Sequence, residues 1–151
     1  MKQIQSMINS EVKGFNFDEK TGAIEIELEN EIGATDFLQM KLAAIYVDSY
    51  SIDHDTANMD FAIKKFNYLF EVFSFLNKEV IAQVRLMTEV EIKNPDENWS
   101  DSHSCFFRNK RAFKQRLVIT FDVPDLQQKE NECCYVSLTM DIVESNYEFY
   151  I

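Results

Sequence analysis

The sequence predicts an α+β domain: a curved antiparallel β-sheet of about six strands with one long helix, residues 55–77, packed on one face. Three observations lead there. Apolar and polar residues alternate over several separate stretches, which is the period of half-buried strands. Residues 55–77 instead carry apolar residues at three- and four-residue spacing, which is the period of a helix. The order is strands, helix, strands, and not the strand–helix alternation of a parallel doubly wound sheet.

The first pair of strands lies in "FNFDEKTGAIEIELENE", residues 15–31. Phe15 and Phe17 alternate, "DEKTG" supplies turn chemistry, and Gly22 is free to take a positive φ. In the second strand Ile24, Ile26 and Leu28 point one way and Glu25, Glu27 and Glu29 the other. Residues 35–52, "TDFLQMKLAAIYVDSYSI", fit either period. The β-branched and aromatic tail "IYV" favours a long strand, bulged near Ala43 and Ala44.

In the helix 55–77, Asp55 or Thr56 is the expected cap, and Met59, Ile63, Phe66, Phe70 and Phe73 form the buried stripe. Asn77 is the expected left-handed stop. Such a stripe reads as core against the sheet, with Phe70 inside. From residue 79 the period returns to two. Ala82, Val84, Leu86, Val90 and Ile92 fall on one side, Arg85, Glu89, Glu91 and Lys93 on the other. A polar loop, 94–104, follows. Residues 113–123 and 133–143 alternate again, separated by the turn "PDLQQKEN".

With 151 residues the chain is one domain's worth, residues 1–151, and is long enough to fold without metal or disulfide. Thirteen Phe argue against disorder. The amino terminus has no apolar run of signal-peptide length, and nothing reaches membrane-spanning length. Cys105, Cys133 and Cys134 make an odd count, and the last two would point to opposite faces of a strand, so a reducing cytoplasm is expected.

The formal charge is −11, and it is uneven. Residues 1–60 hold twelve acids and four bases, while 61–116 hold seven acids and ten bases. The basic excess is densest at "RNKRAFKQR", 108–116, which reads as a hairpin turn and solvated strand pairing with internal acids. An acidic surface of this kind repels nucleic acid and anionic membrane and attracts basic proteins.

Chemical motifs are sparse. His103 and Cys105 supply two metal ligands, too few for zinc, and no Cys-x-x-Cys pair completes a site. "DHDTANMD" lacks the glycine and terminal Glu of a calcium loop. A Cys105–His103 nucleophile pair lacks a supporting signature, and the isolated Gly14, Gly22 and Gly33 form no phosphate cradle. No cofactor or metal is expected. The carboxylates of an exposed strand are not poised for acid–base chemistry.

Binding remains. Glu25, Glu27 and Glu29 stand about 7 Å apart along one face. Lys41, Arg85 or Lys93 on a neighbouring strand could answer them; the other explanation is a docking face for a basic partner. The loop adds Asp96, Glu97 and Asp101 around Trp99, an aromatic anchor among steering charges, or a ring that plugs the end of the sheet. The expectation is a small acidic protein, not an enzyme, that binds and neutralises a basic partner protein, as an immunity protein or phage-type inhibitor would. Its candidate contacts are Glu25, Glu27, Glu29, Asp96, Glu97, Trp99 and Asp101, with no direct nucleic acid or membrane contact. The alternatives are a chaperone or adaptor, as a possible homo-oligomer, that grips client segments on an apolar sheet face, and a small enzyme.

Overall fold

The structure, a computed structural model, describes residues 3–61, 63–88 and 104–147. Eight strands and one short helix follow in the order β1 (Glu11–Asp18), β2 (Ala23–Glu29), β3 (Thr35–Asp53), β4 (Asn58–Phe61), α1 (Leu69–Leu76), β5 (Val80–Met87), β6 (Ser104–Arg108), β7 (Gln115–Asp122) and β8 (Glu132–Ser145).

All the strands belong to one antiparallel sheet, ordered β2-β1-β5-β7-β8-β3-β4, and β2 also pairs with β3. That extra pairing closes a ring of six strands, β1, β2, β3, β8, β7 and β5. The nineteen-residue β3 is its spine. One edge of β3 is taken by β8 from Met40 to Asp53. The other edge is taken in succession by β2, β6 and β4. The ring is narrowest between β1 and β5, where Val12 N–H donates to Glu79 O and Ile81 N–H to Ser10 O.

Side-chain alternation sorts the two faces. Inner rows run across the sheet as Leu117, Met140 and Ile45, then Ile119, Leu138 and Val47, and on the far side Phe15, Ile26 and Leu38. Most of these are fully buried. β3 slips register between Lys41 and Ala44, a bulge that lets a strand this long bend around the core. Gly22 locks the β1–β2 turn. Its φ is +76°, and a Cβ there would sit 2.5 Å from the Leu42 carbonyl. Leu42 N–H in turn donates to Gly22 O.

The outer face carries one fully buried ion pair. Arg116 on β7 grips Asp141 on β8 through Nε–Oδ1 at 2.5 Å and Nη2–Oδ2 at 3.0 Å. Tyr46 and Phe113 each place a ring centroid 5.6 Å from the guanidinium carbon. Burial pushes the Asp141 carboxyl above its usual range, against the pull of Arg116.

The expected sheet of about six strands with a long 55–77 helix is corrected. Among the described residues the chain is mostly antiparallel strand, with one eight-residue helix. Asp55 and Thr56 do not cap a helix; the chain turns there, with Ala57 at φ 55°. Asn58–Phe61 then pairs with Tyr50–Asp53. The physical reason is the free edge of β3 beyond β6. Its unpaired N–H and C=O groups need partners, and ladder bonds to a distant strand outweigh a local helical period. The Lys64 main chain is held at both ends by the Ser49 hydroxyl, which donates to Lys64 O and accepts from Lys64 N–H, and the helix starts only after Tyr68.

Within α1 the buried residues are Leu69, Val72, Phe73 and Leu76, one true helical stripe. Phe73 stacks on Phe15 with ring centroids 4.5 Å apart. Phe70 is on the opposite side and 73% exposed, so its expected place in the core is also corrected. The left-handed stop falls at Lys78, φ 74°, and not at Asn77.

Candidate functional site

The three sheet carboxylates sit where period-two reading puts them, on the outer face of β2. Ile24, Ile26 and Leu28 are buried beneath, while Glu25, Glu27 and Glu29 are half-exposed. The neighbours give each a different state. Glu29 meets Lys13 Nζ at 3.2 Å, and the same ammonium meets Glu11 at 2.8 Å. Those hydrogen bonds, to Glu11 first and then to Glu29, push the Lys13 pKa up. Glu25 Oε2 accepts from Gln39 Nε2 at 2.7 Å. Lys41, one of the bases expected to answer the ladder, stands across β3 opposite Ala23 on β2 and Glu144 on β8. Arg85 lies on β5, paired with Val118 of β7.

Glu27 is the exception. Its register partners are Gly14 on β1 and Phe37 on β3. Gly14 has no side chain, and a Cβ there would touch nothing within 4 Å. Among the described residues the Glu27 carboxylate makes no hydrogen bond or ion pair. Phe37 beside it is 40% exposed, and Ile32 at the tip of the β2–β3 turn is 88% exposed. The middle of the acidic face is thus one unpaired carboxylate flanked by a bare backbone and an apolar ring.

The mounting is firm. Asn146, just past β8, holds the other edge of β3: its Nδ2 donates to Phe37 O, and Gln39 N–H donates to its Oδ1 at 2.8 Å. Buried Tyr147 donates to Asp36 Oδ2 at 2.5 Å. Burial first, then that carboxylate, push the Tyr147 hydroxyl far up. The β2–β3 turn is tied by Asn30 Oδ1, which accepts from Ile32 N–H and Ala34 N–H. Below Glu25 a shallow cleft of about 400 Å³ is lined by Asn16, Asp18, Glu25 and Gln39, among others. Two carboxylates, Asp18 and Glu25, line it.

Asp96, Glu97, Trp99 and Asp101 lie outside the described residues, as does His103. Among the described residues no group of three or more His, Cys, Asp or Glu could hold a metal ion. No described helix is long and apolar enough to cross a membrane. The basic segment forms the rim of a separate cleft of about 160 Å³, where Arg108, Lys110 and Arg111 stand over the buried Arg116–Asp141 pair. It is therefore partly a solvated turn and partly the cover of an internal pair.

Phe37 and Ile32 are the contributors that sequence reasoning missed. Period two gives Phe37 the same face as Gln39 and Lys41, which was a usable signal. No family model, curated protein or solved structure matches this chain.

Proposed function

We propose that the chain is a protein-binding protein whose outer β1–β2–β3 face docks a basic partner and neutralises it. The unpaired Glu27 beside exposed Phe37 is the observation that carries this reading. An unpaired carboxylate on a strand face contributes nothing to stability that a neutral residue would not, and it repels Glu25 and Glu29. A partner's lysine or arginine removes that repulsion. Phe37 and Ile32 supply the apolar anchor that carboxylates alone lack, because aromatic residues dominate interface energetics while charges set the rate of encounter.

The surrounding field favours the same class of partner. Residues 11–41 hold eight acids against three lysines. Because β2 is hydrogen-bonded on both edges, it offers side chains, not a free edge for strand addition. A toxin or nucleic-acid-handling enzyme has the basic surface that this face fits, so immunity and phage-type inhibition are the biological roles it suits.

A second reading has its own observation. Phe70, exposed on α1, has exposed Tyr68 two residues before it, and this apolar pair suits an adaptor that holds client segments. The inner sheet face, on which that reading first rested, is filled by the core and by α1.

Replacing Glu25, Glu27 and Glu29 together by Gln tests the first reading. Association with the partner should slow and lose most of its salt dependence, with the unfolding midpoint unchanged. Phe37→Ala should instead speed dissociation. If only Phe70→Ala weakens binding, the adaptor reading replaces the inhibitor one.

A further inference from the structure

The fold brings together a cysteine and a histidine 79 positions apart in sequence, at the end of β3 remote from the acidic face. His54 Nε2 lies 3.0 Å from Cys133 Sγ. From this contact we infer that Cys133 is an activated thiol, with His54 as its base, forming a site for covalent modification by small neutral electrophiles.

The geometry is that of a nucleophile and its base within hydrogen-bond reach. Cys133 on β8 and Tyr135 two residues on share the outer face, and Tyr135 packs against Tyr50 with ring centroids 5.5 Å apart. Burial, and then the neighbouring Cys133, push the Tyr135 hydroxyl up. The thiolate formed by proton transfer keeps the His54 ring beside it as a hydrogen-bond donor. His54 is anchored through its backbone, since its N–H donates to Asn131 O.

The other cysteines are internal contrasts. Cys134 faces the core, donates to Glu132 at 3.1 Å, and is pushed up to about 12, mainly by burial and then by Glu132. Cys105 is exposed, but its thiol donates to Phe107 O, and desolvation pushes its pKa up. Neither has a base.

The charges around the pair select the electrophile. Asp53 and Asp55 flank His54 in the chain, and Asp122 acts on Tyr135 from β7. These carboxylates repel anions. A neutral reagent therefore suits the site better than an anionic one. In the reaction the Cys133 proton passes to His54 Nε2. The sulfur lone pair forms the new S–C bond as the leaving group departs with its electron pair, and His54 then releases its proton to water.

The test treats the native chain with iodoacetamide and follows each cysteine separately by peptide mass spectrometry. Cys133 should alkylate fastest, ahead of the more exposed Cys105. His54→Gln should slow Cys133 about tenfold, a modest share of what a positioned base supplies, and leave Cys105 unchanged, which also reports an intact fold. Iodoacetate, similar in size but anionic, should lag iodoacetamide more at Cys133 than at Cys105 beside Arg108. The proposal is overturned if Cys105 outpaces Cys133, or if His54→Gln leaves the Cys133 rate unaltered. Equal iodoacetate ratios at the two cysteines would overturn the preference for neutral reagents. The wild-type ranking decides the matter even where the variant fails to fold.

Discussion

Asp141→Ala should destabilise the chain by about 3–5 kcal/mol, because it removes the carboxylate that forks onto a buried guanidinium. Arg116 and Asp141 are each 1% exposed, and two charge-assisted hydrogen bonds join them in a forked geometry. Without the carboxylate, Arg116 cannot swing into water without opening the packing of Tyr46 and Phe113 over it. Those rings contribute, but cation–π contacts are worth about 2 kcal/mol each at most when desolvated, less than the lost ion pair. Two controls separate charge from shape. Asp141→Asn keeps an acceptor for one guanidinium bond and should cost less than Asp141→Ala. A double replacement, Arg116→Met with Asp141→Leu, removes both charges and should recover most of the loss, since well-packed apolar pairs replace buried ion pairs at little or no cost. Urea unfolding of all three variants gives the numbers. A loss below about 1 kcal/mol for Asp141→Ala would refute the reasoning and mean that Arg116 reaches water or another carboxylate.

Three further outcomes follow from the same structure. Burial pushes Asp48 up to about 6, so the native state holds a proton there that the unfolded chain releases near pH 4. Stability should therefore fall as pH rises from about 4 to 6. Asp48→Asn should be the more stable chain at pH 7.5 by about 3 kcal/mol at most, and equal to wild type near pH 4. Denaturation across that range checks it, and parallel profiles for the two chains would contradict it. Phe73→Ala should cost about 3–5 kcal/mol and Phe70→Ala under about 1, reversing the order that a single 55–77 stripe implies. Gly22→Ala should cost more than about 1 kcal/mol, because strain at φ +76° adds to the clash with the Leu42 carbonyl; an unshifted unfolding midpoint would mean that the turn simply moves.

The parts of the fold legible in the sequence are those where one face is buried along a whole strand. Ile24, Ile26 and Leu28 alternate with glutamates because β2 has core on one side and water on the other. The same logic marks β7 and β8. It fails where pairing is decided from far away. Met59, Ile63 and Phe66 keep a helical spacing, yet β4 forms because Tyr50–Asp53 has an open edge, which no local window reveals. β6, "SCFFR", is five residues long and enters through its pairing with Ala44–Val47. Ring closure depends on β2 meeting β3 and β1 meeting β5, and neither contact has a local signature.

The candidate site divides in the same way. The shared direction of Glu25, Glu27 and Glu29 follows from period two. That Lys13 answers Glu11 and Glu29 depends on the bulge between Val12 and Gly14. That Glu27 is left alone depends on a glycine arriving opposite it. The Cys133–His54 contact is a product of the β3–β8 register and could not be read from either segment.

The most direct test of the docking face is retention from a lysate of the native host. Immobilised wild type, the Glu25, Glu27 and Glu29→Gln triple variant and Phe37→Ala are compared side by side at low and at moderate salt. The account predicts one basic protein held by wild type at low salt, weakened by moderate salt, and lost from both variants while each keeps the wild-type unfolding midpoint. Equal retention of that protein by wild type and the triple variant would contradict it, and the carboxylates of β2 would then be only the solvated side of a strand.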